Sequence, residues 1–172
     1  MITIDESTGI VTKRVSNDAL DWLGEHFDYY KQYQKFNPRA VKVYDRVGTD
    51  SYTMEYIRNV GTLSDWLAER NLKEISLTKH IKDKALEVFV NHYEKGTELF
   101  SRTIPGNDKL FINIDVKLSN ILVTHYEEFK MIDPESWYVK TVHPDEMWRQ
   151  KLLCQTRINE VMNTMTNMFR GD

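Results

Sequence analysis

Phe111 to Ser136 reads FINIDVKLSNILVTHYEEFKMIDPES, and this stretch decides the fold. Leu110 to Ile114, Ile121 to Val123 and Phe129 to Ile132 are short β-rich apolar runs bounded by polar residues, which predicts three strands. The polar His125 to Glu128 predicts a turn that folds the last two into an antiparallel hairpin. If Ile121 to Val123 pairs with Lys130 to Ile132, Asn120 falls opposite Asp133 at one end of the ladder. An amide oxygen beside a carboxylate is a hard-oxygen pair suited to Mg²⁺, and Asp115 sits nearby on the connecting loop. Asp and Asn are also ordinary turn formers at strand ends, so spacing alone leaves both readings open.

Upstream, Ile2 to Ile4 and Ile10 to Val15 flank Asp5-Glu6-Ser7-Thr8-Gly9, the pattern of a hairpin whose turn uses Gly9 at positive φ. From Asn17 to about Phe36, Leu20, Leu23, Phe27 and Tyr30 recur at helical spacing beside a second stripe of Trp22, Tyr29 and Tyr33, so this helix should touch structure over a wide arc. Pro38 ends it, and Ala40 to Arg46 and Ser51 to Ile57 predict strands around Gly48-Thr49-Asp50. Helix formers then dominate. Leu63 to Glu69 predicts a short helix, and Thr78 to about Ser101 a longer one with Ile81, Ala85, Phe89 and Tyr93 on one face, stopped by Ile104-Pro105-Gly106-Asn107. A final helix is expected after Pro144, running to about Phe169, with Met162, Met165, Met168 and Phe169 as a packing face. Trp22, Trp66, Trp137 and Trp148 are expected in the core or between lobes, and Cys154 as a buried apolar residue. The class is α+β in one domain, with a boundary near Arg58 to Gly61 dividing an N-terminal lobe (about 1–58) from a mostly helical C-terminal lobe (about 61–172).

Composition excludes several functions. The 172 residues are 41% hydrophobic and 28% charged with a net charge of −3, an ordinary globular balance that can build a core without staples. The seven glycines are never closer than ten residues, which excludes both GxGxxG and GxxxxGK phosphate loops. No uncharged stretch exceeds nine residues, too short for a membrane span, and MITIDESTG has neither a basic nor an apolar leader segment, so a cytoplasmic chain is expected. Basic and acidic residues are interspersed, which argues against nucleic acid as a partner. The lone Cys154 and the scattered histidines offer no disulfide or zinc framework.

Asp115-Val116-Lys117-Leu118-Ser119-Asn120 resembles the D-x-K-x-x-N catalytic loop of the protein-kinase-like superfamily. Ile132-Asp133-Pro134-Glu135-Ser136 stands in the place of the metal-binding DFG, in the I-D-P form of aminoglycoside-phosphotransferase-like and some phage kinases. Met54 to Ile57 followed by Gly61-Thr62-Leu63 resembles the hinge strand and the first C-lobe helix, and the likeness spans roughly Ile10 to Ser136. The resemblance implies a minimal two-lobed kinase fold using ATP and Mg²⁺. Asn120 and Asp133 would hold the metal, Asp115 would accept the proton of an acceptor hydroxyl, and Lys117 would offset charge on the transferred phosphoryl group. Backbone groups of Glu55, Tyr56 and Ile57 would meet the adenine. Alternation places Lys13 on the apolar face of its strand with Val11 and Val15, where it resembles the lysine that holds the α- and β-phosphates. Glu25 is the expected helix partner of Lys13, although helical geometry also allows it as a surface charge.

Three features depart from that family. Asn113 replaces the histidine of H-x-D, no glycine-rich loop precedes Lys13, and the ten residues between Asp133 and Pro144 hold no A-P-E motif. Two functions therefore compete: a phosphotransferase acting on a hydroxyl of a protein or small molecule, and a reduced, pseudokinase-type module that docks to a partner protein. An unrelated α+β domain with an accidental match is the third.

Overall fold

The structure, a computed structural model, describes residues 1–69, 75–104 and 109–170. Its first unit is a four-stranded antiparallel sheet in the order β1-β2-β4-β3, built from β1 (Ile2–Asp5), β2 (Ile10–Arg14), β3 (Val43–Val47) and β4 (Ser51–Glu55). The expected N-terminal hairpin is present. Gly9 takes φ +68°, and the Asp5 carboxylate accepts from the Ser7 N–H at 3.0 Å and the Ser7 hydroxyl at 2.6 Å. Between β2 and β3 the chain makes a 3₁₀ turn (Asn17–Ala19), a π-helical turn (Trp22–His26) and α1 (Phe27–Tyr33). The wider π turn lets Trp22 and Leu23 join Phe27, Tyr30 and Tyr33 in the core, while Leu20 is left exposed. Gln34 then clasps β3, its amide donating to the Val43 carbonyl and accepting from the Val43 N–H.

Residues 59–62, at the expected boundary, form β5 (Asn59–Thr62), the first strand of a three-stranded sheet ordered β5-β7-β8 with β7 (Ile121–Thr124) and β8 (Phe129–Met131). α2 (Leu63–Glu69) follows as expected. The long helix expected from Thr78 is α3 (Ile75–Glu87), a π-helical stretch (Val88–Lys95) and α4 (Gly96–Ser101); Pro105-Gly106-Asn107, the expected stop, lies outside the described residues. β6 (Lys109–Asn113) pairs with β9 (Trp137–Thr141), a strand not anticipated from the sequence. α5 (Met147–Arg170) closes the chain, with Met165 buried and Met162 and Met168 partly so; the side chain of Phe169 lies outside the described residues.

One core runs through all of this. Trp137 anchors it, with ring centroids 4.3 Å from Tyr33 and 5.3 Å from both Tyr93 and Phe111, and its carbonyl accepts from the Trp22 indole at 2.8 Å. Trp22, Trp66 and Trp137 are buried as expected, whereas Trp148 is 65% exposed on α5 and belongs to no core. Residues 39–41 add to the edge of β8, the Val41 N–H donating to the Met131 carbonyl and the Met131 N–H to that of Arg39. The architecture is thus mixed α+β with small antiparallel sheets, and no helix among the described residues is long and apolar enough to cross a membrane.

The β7–β8 register corrects the sequence expectation by one residue. Ile121 faces Met131 and Val123 faces Phe129, so Asn120 pairs with Ile132, whose N–H donates to the Asn120 carbonyl at 2.8 Å. Side chains explain the choice. This register places Ile121, Val123, Phe129 and Met131 together on the buried face, while the expected one would have driven Lys130 into the core opposite Val123. The loop makes it possible: in the four-residue connection 125–128, Glu127 adopts φ +57° after a turn closed from the Glu127 N–H to the Thr124 carbonyl, with no glycine present.

Candidate functional site

Lys13, on β2, reaches across to the segment that follows β8. Its ammonium lies 3.0 Å from Glu135 Oε1 and 3.5 Å from Asp133 Oδ1, and all three side chains are less than a third exposed. The expected pairing of Lys13 with Glu25 does not form; Glu135 and Asp133 take that place. Glu25 lies exposed in the π-helical turn and is not brought to Lys13. Trp22 and Leu23 of that turn are buried, and Glu25 lies on the opposite, solvent side, the surface placement that helical geometry also allowed. Glu135 also accepts from the hydroxyl of Tyr52 at 3.1 Å. Tyr52 is fully buried, and burial together with the Glu135 charge pushes its phenol far above the ordinary tyrosine range, so it remains a donor.

Asp133 itself takes a left-handed backbone, φ +64° and ψ +65°, at the start of a 3₁₀ turn (Pro134–Ser136). A non-glycine residue held there stores strain, and the surrounding bonds fix it: the Ser136 N–H and the Ser136 hydroxyl both donate to the Asp133 carbonyl, at 3.1 and 2.7 Å. Ser136 in turn accepts from the amide of the buried Asn113 at 2.9 Å. The other end of the Asn113 amide accepts from the Asp115 N–H at 2.8 Å, and Arg157 on α5 donates to the Asn113 carbonyl at 3.0 Å. Asn113 therefore ties the loop carrying Asp115 to the turn carrying Asp133.

Asn120 closes the loop from the other side. Its Nδ2 donates to the Asp115 carbonyl at 2.9 Å and to Asp115 Oδ2 at 3.2 Å. With Nδ2 so occupied, Oδ1 remains the oxygen available to a cation. Lys117 forms an ion pair with Asp115 Oδ2, and that carboxylate holds the Lys117 ammonium above the usual lysine range. Both side chains are about half exposed, so this pair is open to solvent and to an incoming group.

Of these residues, Lys13, Asn120 and Asp133 line a cleft of about 470 Å³. Its lining includes the apolar Val11, Val41, Met54, Leu122 and Ile132 together with Lys13, Asn120 and Asp133. Glu55, Tyr56 and Ile57 line it too. Two of their N–H groups are already committed: Glu55 donates to the Lys42 carbonyl and Tyr56 to that of Gly9. Among the described residues the Ile57 N–H donates to no protein acceptor. The cleft thus combines a largely apolar lining with one ammonium that is paired to two carboxylates.

A divalent cation fits the donor set in a limited way. Asn120 and Asp133 offer hard oxygens, and no group of three or more His, Cys, Asp or Glu side chains gathers among the described residues. Two protein ligands suit Mg²⁺, which keeps water and phosphate oxygens in its shell, better than a metal that requires a full protein cage. Glu135 and Tyr52 were missed by sequence reasoning because nothing in a linear pattern marks a partner two residues past Asp133. The chain matches no protein-family model and no curated protein.

Proposed function

We propose that this chain is a minimal kinase-like phosphotransferase that moves the γ-phosphoryl group of ATP to a hydroxyl, with Mg²⁺ as cofactor. The observation that carries the reading is the convergence of Lys13, Asp133 and Asn120 in the lining of a largely apolar cleft, with Asp115 hydrogen-bonded to Asn120. ATP bound with Mg²⁺ would supply the activated phosphoryl group and the neutralising charge. Asn120 Oδ1 and the Asp133 carboxylate would hold the metal, and the Ile57 N–H would receive the adenine edge. Lys13, held by Glu135, would meet the phosphate oxygens while keeping that carboxylate. Asp115 accepts the acceptor's hydroxyl proton. Lys117, paired with Asp115, would exchange that contact for the oxygens of the transferred group. Such chemistry depends on positioning and charge compensation, which the Asn113 network provides by fixing both acidic residues to one another.

The first turn sets a limit on rate. The Asp5 turn is short and internally hydrogen-bonded, so nothing like a glycine-rich loop covers the phosphates, and any turnover should be slow. The test is a thermal-shift titration with ATP and Mg²⁺, separately and together. Saturation at a hundred times the dissociation constant should add about 2.7 kcal/mol to stability. An unchanged melting temperature together with no calorimetric heat overturns the nucleotide reading.

A further inference from the structure

The four-stranded sheet treats its two edges differently. At β3 the pairing with β4 is interrupted by a register shift between Val43 and Arg46, and the exposed Asp45 and Arg46 form ion pairs with Lys31 and Asp28. Bulges and charges of this kind keep an edge from recruiting another strand. β1 has neither device along Ile2-Thr3-Ile4: it pairs with β2 without interruption, carries no lysine or proline, and is exposed at every residue, Ile2 to 58% and Ile4 to 51%. Two bonds fix the phase of the ladder. The Arg14 N–H donates to the Met1 carbonyl at 2.9 Å and the Val15 N–H to the Asp50 carbonyl at 2.8 Å, so even-numbered residues of β2 face β1 and odd-numbered ones face β4. Thr3 and Asp5 therefore turn their backbone groups toward β2, while Ile2 and Ile4 turn their N–H and C=O groups to the open edge. The side chains of Ile2 and Ile4 share a face with their cross-strand partners Lys13 and Val11, and both line the cleft.

We propose that this edge pairs with the same edge of a second copy of the chain, antiparallel about a two-fold axis at Thr3. In that register Ile2 faces the partner's Ile4 and Ile4 faces the partner's Ile2, each as a hydrogen-bonded pair. Every open N–H and C=O group of both isoleucines is then used, whereas setting Ile2 on its own copy, or Ile4 on its own copy, halves the bonds made within β1. Charge selects the same arrangement. The β1–β2 hairpin is acidic at its turn, Asp5 and Glu6, and basic at its open end, Lys13 and Arg14. The two-fold sets Asp5 of each chain opposite the partner's Met1, next to the partner's Arg14, so the acidic turn of one hairpin lies beside the basic end of the other. On the face away from the cleft, the row of Thr3, Thr12 and Thr53 continues into the partner's Thr3, and on the cleft face four isoleucines gather. The product is one eight-stranded sheet. The inference rests on the sheet alone and goes beyond the phosphotransferase reading. A four-residue edge is a small contact beside the roughly 1,200–2,000 Å² of a stable complex, so the dimer is a reversible one, populated at about 0.1 mM and above.

Sedimentation velocity of the full chain from about 0.01 mM to about 1 mM should show monomer giving way to dimer. Thr3 is exposed, does not line the cleft and meets its own copy at the axis, so Thr3→Lys and Thr3→Glu each set like charges directly opposite one another. Each variant alone should associate at least about tenfold more weakly than the parent. An equimolar mixture of the two should associate as well as the parent or better, which also shows that both variants fold. Amide exchange gives a second readout: the Ile2 and Ile4 N–H groups should slow as concentration rises, while that of Thr3, already turned to β2, should not change. A parent that stays monomeric at about 1 mM leaves the edge to some other strand and overturns the proposal, as does a mixture no better than its components. Variants that dimerise as the parent does, or exchange at Ile2 and Ile4 that ignores concentration while a dimer is seen, place the contact elsewhere and overturn it too.

Discussion

The contact of Lys13 and Tyr52 on one carboxylate gives a prediction that stability measurements alone can check. Glu135 is only 15% exposed, and it receives Lys13 at 3.0 Å and the Tyr52 hydroxyl at 3.1 Å. Tyr52→Phe removes one hydrogen bond to a charged acceptor and should cost about 1.5–3 kcal/mol. Glu135→Ala leaves the fully buried Tyr52 hydroxyl without a partner, a penalty of about 1–3 kcal/mol, and also strips Lys13 of its nearer counter-charge. Lys13 retains Asp133 at 3.5 Å and is partly solvated, so that second loss is small, about 0–1 kcal/mol. Once Tyr52 is already Phe, Glu135→Ala no longer orphans a hydroxyl. The double variant should therefore be more stable than the sum of the singles predicts, by about 1–2 kcal/mol. Glu135→Gln, which keeps an acceptor for Tyr52, should be milder than Glu135→Ala, and Glu25→Ala should change stability by less than about 0.5 kcal/mol. Equilibrium urea unfolding of the parent and these five variants measures every quantity. Additivity of Tyr52→Phe and Glu135→Ala to within about 0.5 kcal/mol would show that the hydrogen bond contributes nothing, and a costly Glu25→Ala would restore Glu25 as the structural partner.

Asp115→Asn should abolish phosphoryl transfer while nucleotide affinity stays within about threefold, whereas Asp133→Asn should weaken Mg²⁺-dependent binding; transfer at the parental rate by Asp115→Asn refutes the role given to it. His26 is half-buried with Nδ1 accepting from the Val139 N–H, and burial lowers its pKa below the usual histidine value. Because the folded pKa is the lower one, its contribution is fully present above the unfolded pKa of about 6.5 and is lost as pH falls through the folded value. Denaturation midpoints should thus decline on acidification below neutrality, and His26→Asn should flatten the decline; an unchanged slope counts against the assignment. Trp137→Ala should cost about 3–5 kcal/mol and Trp148→Ala less than about 0.5 kcal/mol, a contrast that thermal melts of the two variants will show or deny.

Periodicity and turn chemistry carried most of the local structure. The β1–β2 hairpin follows from Gly9 and Asp5, α2 from its helix formers, and the buried arc of Trp22, Phe27, Tyr30 and Tyr33 from their spacing. What stayed hidden has specific physical causes. β9 went unread because Trp137 to Thr141 lies between a Pro-containing turn and a Pro-led helix, so it looked like linker, and only its pairing with β6 makes it a strand. A uniform 100° rotation per residue cannot represent the inserted residue of the π turn at Trp22, although it does allow Glu25 as the surface charge it is; the pairing of Glu25 with Lys13 came from the resemblance alone. Trp148 looked like core because its type is usually buried, but its side of α5 has nothing packed over it.

The hairpin shows why the candidate site was half legible. Asp115, Asn120 and Asp133 were visible as residue types near strand ends, and Lys13 was visible because a cation broke an apolar alternation. Their mutual geometry depended on the β7–β8 register, which hangs on whether Glu127 accepts a positive φ. In the register that forms, Asn120 is joined to Ile132 through the backbone, so Asp133 lies one residue past the ladder and is free to turn into its left-handed conformation. That turn carries Glu135 to Lys13 and Tyr52 and places Ser136 against Asn113. A directly opposed Asn120 and Asp133 would have kept Asp133 in extended backbone, with no turn to deliver Glu135. The departure from the simplest pairing and the arrival of the unexpected carboxylate are therefore one structural event, set by core burial of Phe129 and Met131.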